Sequence, residues 1–359
     1  MRSAMLLFIL LTSPIALAHK KWFYDAAPYP LRWDLFWRPL PLTITLLVLL
    51  VTAGAAFFQH KRAGRGFLPT PTALGATPER LSNIYALMPA FLAVHIAVPL
   101  LINGVHTQLF SPNNDLPVTF LGLLQLSVAL AFFYGGFTRI AALALAVLWA
   151  LGALLLRFGP MLENAHYLGY AGFFYLAGRG PLSLDRLMLP RLEPSAKFMS
   201  YAVSALRIGT GVSLIVVAFN EKLANLPFAE AFISEYPLNF TSELMFPFSL
   251  TDEFFLVSAG GMEVLIGLFL LFNIFTREIV VVAWLFFNLT LTIFDATELI
   301  NHLPFFGVMA MLLVWSPEPK TKVLWVKGLS ESILPSRRRS RASVNPLSEA
   351  NRQSAEQKT

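Results

Sequence analysis

The sequence contains no cysteine among its 359 residues. This absence excludes disulfides, thiolate metal sites, thiol nucleophiles and thiol–disulfide relays, so redox chemistry would need a bound cofactor or a quinone. Charged residues are also scarce, at 13%, whereas hydrophobic residues make up 56% of the chain and the mean hydropathy is +0.63. Such a composition predicts a membrane protein. The net charge of +6 does not call for a nucleic-acid partner, because its distribution fits membrane orientation.

The first residues, "MRSAMLLFILLTSPIALA", combine one arginine with a short apolar core and a small-residue ending. This pattern is typical of a secretory signal peptide, here residues 1–18, and cleavage after Ala18 would make His19 the first residue of the mature chain. An uncleaved anchor is the alternative. Both interpretations leave the segment that begins at His19 outside the cytoplasm.

Long hydrophobic runs recur along the rest of the chain. A bilayer core of about 30 Å needs about 20 apolar residues per helix. Nine stretches approach this length, at 39–58, 84–104, 116–136, 139–158, 165–179, 199–219, 254–274, 278–297 and 302–317. The sequence therefore predicts an all-α polytopic membrane protein whose helices contact membrane lipid.

Lysine and arginine are unevenly distributed between the loops. With the N-terminus outside, every loop predicted to be cytoplasmic contains basic residues, among them "QHKRAGRG" and "GRGPLSLDRLMLPRLEPSAK", whereas the outer loops are poor in them. The positive-inside rule then predicts a bacterial inner (cytoplasmic) membrane protein with a periplasmic mature N-terminus and a cytoplasmic C-terminus. Residues 320–359 are rich in serine and arginine and predict a disordered basic tail.

The chain contains an internal repeat. "LLQLSVALAFFYGGFTR" (123–139) matches "GMEVLIGLFLLFNIFTR" (261–277), and "LENAHYLGYAGFFYL" (162–176) matches "TELINHLPFFGVMAM" (297–311) after a short gap. The gap pairs Glu163 with Glu298 and His166 with His302. Both halves begin on the cytoplasmic side, so we expect two parallel-repeat four-helix bundles plus one N-terminal transmembrane helix. The predicted segments are 19–83, 84–198, 199–319 with a cap-forming periplasmic insertion at 222–253, and 320–359.

Short motifs in the second half resemble those of a known protein family. "LRIGTGVSLIVVAFNEKL", "GGMEVLIGLFLLFNIFTR" and "NHLPFFGVMAMLLVW" resemble the DoxX family of four-helix membrane proteins, and the first half resembles a degenerate second copy. The resemblance spans roughly 84–317. It implies a quinone-linked redox role of the kind that some members have, such as the membrane subunit of thiosulfate:quinone oxidoreductase, whereas most members have no assigned function. We expect a periplasmic redox or metal-binding protein as partner.

Ionisable residues at membrane depth are costly and are usually paired or functional. Counted from their helix ends, Arg207 and Glu263 both fall near the bilayer midplane, so we expect a buried ion pair. This pair either locks two helices in register or belongs to a ligand site. At the same depth the first half has the neutral side chains of His95 and Gln125.

The stretch "DATELINH" places acids and an imidazole at a predicted outer helix end. We expect Asp295 and Glu298 to end one helix and His302 to begin the next, with Pro304 favouring a turn between them. Lys222 and Asn220 are expected nearby, and the first-half counterparts are Arg157, Glu163 and His166. Three interpretations remain: helix caps wetted by water, a quinone-headgroup or substrate site with a proton relay, and a divalent metal site.

A second metal hypothesis concerns the mature N-terminus. The amine and ring of His19 would chelate copper, with His106 or His166 as a further ligand, although an aromatic and basic interfacial anchor is the competing interpretation. The sequence thus favours a quinone- or redox-linked membrane subunit, and its alternative is a non-enzymatic transporter or a protein that handles copper or another divalent ion.

Reporter fusions test the predicted topology. A reporter that is active only in the cytoplasm is expected to be active after Arg191 and inactive after Ser234, because the basic loops are retained inside. A reporter that is active only outside should give the opposite result at both positions. Inverted activities would place the acid–histidine groups on the cytoplasmic side.

Overall fold

The computed structural model describes residues 20–236, 238–239, 241, 249–291, 294, 296–315 and 319–330. Over these residues the longer elements are helices, and the signal segment, His19, Asp295 and residues 331–359 lie outside the described part. The helices are α1 (Pro39–Lys61), α2 (Pro78–Val105), α3 (Thr119–Tyr134), α4 (Thr138–Leu155), α5 (Phe158–Glu163), α6 (Ala165–Ala177), α7 (Ala202–Ala218), α8 (Leu226–Glu235), α9 (Asp252–Phe272), α10 (Thr276–Thr290), α11 (Ala296–Val314) and α12 (Pro319–Ser330).

Each of the nine predicted spans falls on one of these helices. Six segments of the described chain are long and apolar enough to cross a membrane: α1, α2, α4, Ala196–Leu223, α9 and α11. The Ala196–Leu223 segment contains α7 and continues into a π-helical turn, Phe219–Leu223. The protein is therefore an all-helical, polytopic membrane protein, as its composition predicts.

Local sequence signals explain where several helices begin and end. Proline at the first position starts both α1 and α2, where its missing N–H leaves no hydrogen bond unmade. The Thr77 side chain caps α2 by accepting a hydrogen bond from the N–H of Arg80, and Thr251 caps α9 in the same way. At the end of α3, Gly135 adopts a left-handed conformation with φ of 71°.

The helices pack in two similar sets of neighbours. Helix α6 lies along α7, which in turn packs on α9, and helix α11 lies along α2, which in turn packs on α3. Glycine permits the closest of these approaches, because a Cβ on Gly209 of α7 would lie 2.7 Å from the Cα of Gly169 in α6. Small residues of this kind allow close packing between membrane helices, where van der Waals contact drives association.

Arginine side chains cover the C-terminal ends of several helices. A helix leaves its last four carbonyl groups without intrahelical donors, and its dipole favours a cation there. The acceptors are Phe132 and Phe133 for Arg179, Tyr175 for Arg139, Leu313 for Arg277, Leu270 and Leu271 for Arg207, and Leu329 and Ser330 for Arg186. One end of the bundle therefore carries a ring of helix-capping arginines.

Three predicted boundaries differ from the structure. Helix α10 ends at Thr290, earlier than position 297, and α11 begins at Ala296 and continues through Pro304. The tail predicted to be disordered from 320 begins instead with α12. This helix buries Thr321, Trp325 and Leu329, which share one face at four-residue spacing and pack the helix against α2. Its short apolar face is masked in the sequence by the lysines between these positions.

The Gly169–Gly209 contact makes a prediction about stability. Gly209→Ala is expected to lower the melting temperature of the detergent-purified protein, because the new methyl group meets backbone atoms and overpacking costs about 1–3 kcal/mol. Gly54→Ala is the matched control, since a Cβ there has no heavy atom within 4 Å and alanine favours helix. Equal melting temperatures for the two variants would contradict the close contact.

Candidate functional site

A buried cluster of charged and polar side chains occupies the bundle end opposite the capping arginines. It extends from the ends of α5 and α7 to the start of α11 and the middle of α9, and the N-terminal segment packs into it. We call it the inner cluster, and its members are Lys20, Lys21, Glu163, His166, Ser213, Asn220, Glu221, Lys222, Glu263, Glu298 and His302. Most of these side chains are buried, which is unusual for charged residues.

The central interaction is an ion pair between Lys222 and Glu263. The Lys222 ammonium donates to both carboxylate oxygens, at 2.8 and 3.0 Å, and both side chains are almost completely buried. The π-helical turn Phe219–Leu223 supplies Lys222, and the middle of α9 supplies Glu263. The two hydrogen bonds to one carboxylate compensate both charged groups for the hydration that they lose on burial.

The predicted pair between Arg207 and Glu263 is wrong. The Arg207 guanidinium binds the carbonyls of Leu270 and Leu271, the latter at 2.7 Å, in the last turn of α9. Glu263 lies about two turns earlier in this helix. Counting residues along the helices predicted similar depths for Arg207 and Glu263. The last carbonyls of α9 have no intrahelical donor, however, and it is these carbonyls that accept from Arg207.

Glu298 and His302 form a second pair, within one helix. Because α11 begins at Ala296 and does not turn at Pro304, the two side chains share a face, and His302 Nδ1 lies 3.2 Å from Glu298 Oε1. Both are fully buried. Within the described residues neither Glu298 oxygen has a partner in hydrogen-bond geometry, and His302 is its close neighbour along the helix.

Aromatic rings surround His302. The Trp22 ring centroid lies 4.9 Å from the imidazole centroid, and Phe287 packs edge-on at 4.7 Å. Phe287 and Phe305 also line a narrow apolar cleft between α7, α9, α10 and α11, together with Thr210, Leu214 and Ile266. The rings of Phe287 and Phe305 therefore contact both His302 and this cleft.

The N-terminal segment contributes cations that the sequence analysis did not assign to a site. The backbone N–H of Lys20 donates to Glu221 at 2.9 Å, and the Lys21 ammonium contacts Glu163. The Lys20 ammonium is buried beside Phe232 and has no hydrogen-bond partner among the described residues. Burial, and then the nearby Lys222 ammonium, hold the pKa of the Lys20 amine well below its usual range.

The first-half residues do not form a matching charged site. Gln125 donates to the carbonyls of Leu100 and Gln108 and accepts from the N–H of Phe110, so it holds the loop that follows α2. His95 is half-buried and its Nδ1 lies 2.9 Å from the carbonyl of Phe91 in its own helix.

Of three further predicted neighbours, only Arg157 lies apart. Its side chain is exposed, and the cation at Glu163 is Lys21 instead, while Asn220 donates to the same carboxylate at 2.7 Å. Glu163 and His166 meet at Ser213, whose Oγ donates to the Glu163 carbonyl and lies 3.1 Å from His166 Nδ1. The expectation that Arg157 joins Glu163 and His166 is therefore wrong, whereas the other two do lie together.

The metal hypothesis rests on residues that the structure brings together only in part. His106 is exposed at the end of α2, and its Nδ1 lies 2.9 Å from the carbonyl of Ile102. Among the described residues, no group of three histidine, aspartate or glutamate side chains is arranged to hold a metal ion. Two of the proposed ligands, His19 and Asp295, lie outside those residues.

Comparisons with protein-family models, with curated proteins and with solved structures found no match to this chain. Its resemblance to the DoxX family therefore remains one of short motifs. The arrangement of the inner cluster is chemically informative by itself, because a buried acid beside an imidazole can exchange a proton in a place from which bulk water is excluded.

The Lys222–Glu263 pair makes a quantitative prediction. Glu263→Gln leaves the Lys222 ammonium buried without its counter-charge and is expected to destabilise the protein by about 3–5 kcal/mol, measured as a lower melting temperature. In a Lys222→Met background the same substitution should cost much less, whereas with Arg207→Gln the losses should add. An equal loss with and without Lys222 would show that the pair does not form.

Proposed function

We propose that this chain is a DoxX-like, redox-linked subunit of a bacterial inner membrane that binds a quinone headgroup at Glu298 and His302. One observation carries the proposal: a fully buried acid–imidazole pair is enclosed by aromatic rings, two of which, Phe287 and Phe305, also line an apolar cleft. Mostly apolar sites with a few convergent polar groups are typical of cofactor binding.

The residues present fit a quinone. A quinone supplies two-electron, two-proton redox chemistry through a flat ring with two carbonyl oxygens and an isoprenoid tail. The His302 imidazole can donate to such an oxygen, and Trp22 and Phe287 offer ring surfaces beside it. The cleft lined by Leu214, Ile266 and Phe305 has the apolar character that a tail needs.

Glu298 is the carboxylate of the inner cluster that lies beside an imidazole of its own helix. Glu163 and Glu263 each contact a lysine, and Glu221 accepts a backbone N–H from Lys20. Glu298, in contrast, has the titratable His302 as its neighbour at 3.2 Å. A proton shared by these two groups can pass to or from a bound headgroup without moving a bare charge through the bundle.

Internal contacts support the two parallel four-helix units. The Arg139–Tyr175 and Arg277–Leu313 hydrogen bonds each join residues 36 positions apart. Gly169 and Gly307, which face α7 and α2 respectively, have the same separation in sequence as Arg139 and Arg277. Asn103 of the first unit binds Asn301, and Asn220 of the second unit binds Glu163, so the units exchange equivalent contacts.

These contacts favour a repeat register without the assumed gap. Glu163 then corresponds to Asn301, and Pro160 and Asn164 occupy the positions of Glu298 and His302. In this register the acid–histidine pair belongs to the second unit alone. A single headgroup site follows, in place of one acid–histidine group for each half.

The orientation and the partner follow from charge and from the insertion. The ring of capping arginines favours a cytoplasmic position for that end of the bundle, which places the inner cluster and the N-terminal segment toward the periplasm. Helix α8, the described part of the insertion 222–253, buries Phe228 and Phe232 and packs on α9 above the cluster. A periplasmic redox partner would dock over this cap.

A non-enzymatic transporter or metal-handling protein is the second candidate. The observation that favours it is the number of ionisable groups in the inner cluster, since such groups inside membrane bundles often form ion or proton pathways. Copper or another divalent ion would need His19 or Asp295 to complete a ligand set with Glu298 and His302.

Chemical analysis of the purified protein distinguishes the two candidates. We expect quinone at near-unit occupancy in extracts of the wild type and of His106→Gln, and occupancy reduced about tenfold in His302→Gln, which loses the buried hydrogen-bonding imidazole. His106 is the matched control because its side chain is exposed. A stoichiometric metal without quinone would favour the second candidate, and the absence of both from correctly folded protein would contradict the two together.

A further inference from the structure

A second polar cavity lies at the opposite end of the bundle from the inner cluster. It is open at one side and lies where α6 ends and α4 begins. Its lining includes three arginines, two carboxylates and, besides the buried Ser183, the buried hydroxyl of a threonine. We call it the arginine cavity, and these six residues are Thr138, Arg139, Arg179, Asp185, Arg186 and Glu193.

Arg139 and Arg277 make the same helix-capping hydrogen bond but differ in their remaining donors. Arg277 also directs Nη1 to the carbonyls of Leu68 and Pro69, at 3.4 and 2.9 Å. Arg139 lines the cavity, and within the described chain its Nη1 and Nη2 have no hydrogen-bond partner beyond the stacking contact with the Tyr175 ring. Within the described residues both terminal nitrogens of Arg139 are therefore unused, whereas Arg277 engages Nη1.

The Thr138 hydroxyl is a second unused polar group in this cavity. The side chain is only 1% exposed, and its Oγ1 has no hydrogen-bond partner in the described part of the chain. A buried hydroxyl without a partner has lost its hydrogen bonds to water and gained none in exchange, which is unfavourable. A ligand that accepts from Thr138 and Arg139 together would remove this cost.

The charges of the cavity favour an anion. Asp185 is already committed, because its two oxygens accept the backbone N–H groups of Phe137 and Thr138 at 2.6 and 2.7 Å. Glu193 lies 3.6 Å from Arg186 Nε. The cavity lining therefore contains three guanidinium groups and two carboxylates that already have partners. The lining has an excess of one positive charge.

The arginines are also held in place before any ligand arrives. Arg179 binds the carbonyls of Phe132, Phe133 and Leu182, and Arg186 binds those of Leu329 and Ser330. These contacts fix two guanidinium planes yet leave further N–H groups, since each guanidinium has five. Such preorganisation lowers the entropy that binding would otherwise cost.

The surroundings identify the source of the anion. Ile140 and Leu143 of α4 are 52% and 53% exposed beside the cavity, on a helix that is apolar enough to span the bilayer. The short helix Leu184–Met188 exposes Leu184, Leu187 and Met188 on the other side. An anion with acyl chains fits a cavity flanked by lipid-facing side chains.

We propose that the arginine cavity binds the phosphate of an anionic phospholipid headgroup, with Arg139 and Thr138 as its principal donors. Arg179 and Arg186 supply the surrounding positive charge. The lipid would tie α3, α4 and α6 of the first unit together at the membrane interface. This site is separate from the inner cluster and does not depend on quinone binding.

Native mass spectrometry of the full chain in detergent tests the proposal. Phosphatidylglycerol is titrated against phosphatidylcholine with the same acyl chains, and we expect preferential binding of phosphatidylglycerol. Arg139→Gln should weaken it about tenfold, because a hydrogen bond to a charged group is lost, and Thr138→Val about threefold. Arg277→Gln is the matched control and should change the affinity less than about twofold, since its donors bind backbone carbonyls.

The outcomes separate the sources of the phosphate. Displacement of phosphatidylglycerol by inorganic phosphate would show that the headgroup phosphate alone is recognised, and failure to displace it would show that the acyl chains contribute. Equal binding of the two lipids, or equal losses in Arg139→Gln and Arg277→Gln, would overturn the proposal. Thr138→Val keeps the shape of the side chain and its helix, so an unchanged affinity in this variant would also count against it.

Discussion

The buried ion pair between Lys222 and Glu263 constrains the end of the bundle that contains the inner cluster. An ammonium and a carboxylate inside a membrane protein must meet in good geometry, because either alone would cost several kcal/mol. Two features of the chain make the meeting possible. The π-helical turn Phe219–Leu223 turns Lys222 toward α9, and Gly260 lets that turn approach, since a Cβ there would lie 2.9 Å from Leu223 and 3.1 Å from the Cβ of Lys222. A regular α-helical end of α7 in place of the π-helical turn would hold the Lys222 ammonium away from Glu263, and so would a residue larger than glycine at position 260.

Two other carboxylates of the cluster, Glu221 and Glu163, obtain their partners from distant parts of the sequence. Glu221 accepts a hydrogen bond from Lys20, 201 positions away, and Glu163 contacts Lys21, 142 positions away. The N-terminal segment is therefore part of the bundle interior, and it also brings Trp22 against His302. With helix α8 above them, these residues keep the acids away from bulk water. The buried acid–imidazole pair depends on this enclosure, because an exposed pair would exchange its proton with solvent directly.

Hydropathy was sufficient to predict the long apolar helices, because each membrane crossing must contain its own apolar run and satisfy its own backbone hydrogen bonds. Hydropathy could not predict which charged side chains form ion pairs. Arg207 and Glu263 lie on neighbouring helices at similar counted depth, but the end of α9 offers carbonyls that the count does not represent. Lys20 and Lys21 stand in a short polar stretch that is equally typical of a lipid-facing anchor, so their burial was not foreseeable. The π-helical turn has no sequence signature, and Pro304 favoured a break that α11 does not make.

The two ends of the bundle use basic residues in different ways, and side-chain chemistry explains the division. Arginine has a planar fork of donors that can bind two carbonyls at once and stays charged, so it suits the open C-terminal ends of helices, as Arg179 does at α3 and Arg207 at α9. Lysine is a compact cation whose charge can be balanced by one carboxylate, so it suits the interior, as at Glu263. A titratable site needs neighbours whose charge is balanced locally, because an unbalanced arginine field would hold every nearby acid ionised. The Lys222–Glu263 and Lys21–Glu163 pairs balance their charges within the inner cluster, and the capping arginines lie at the far end of the bundle.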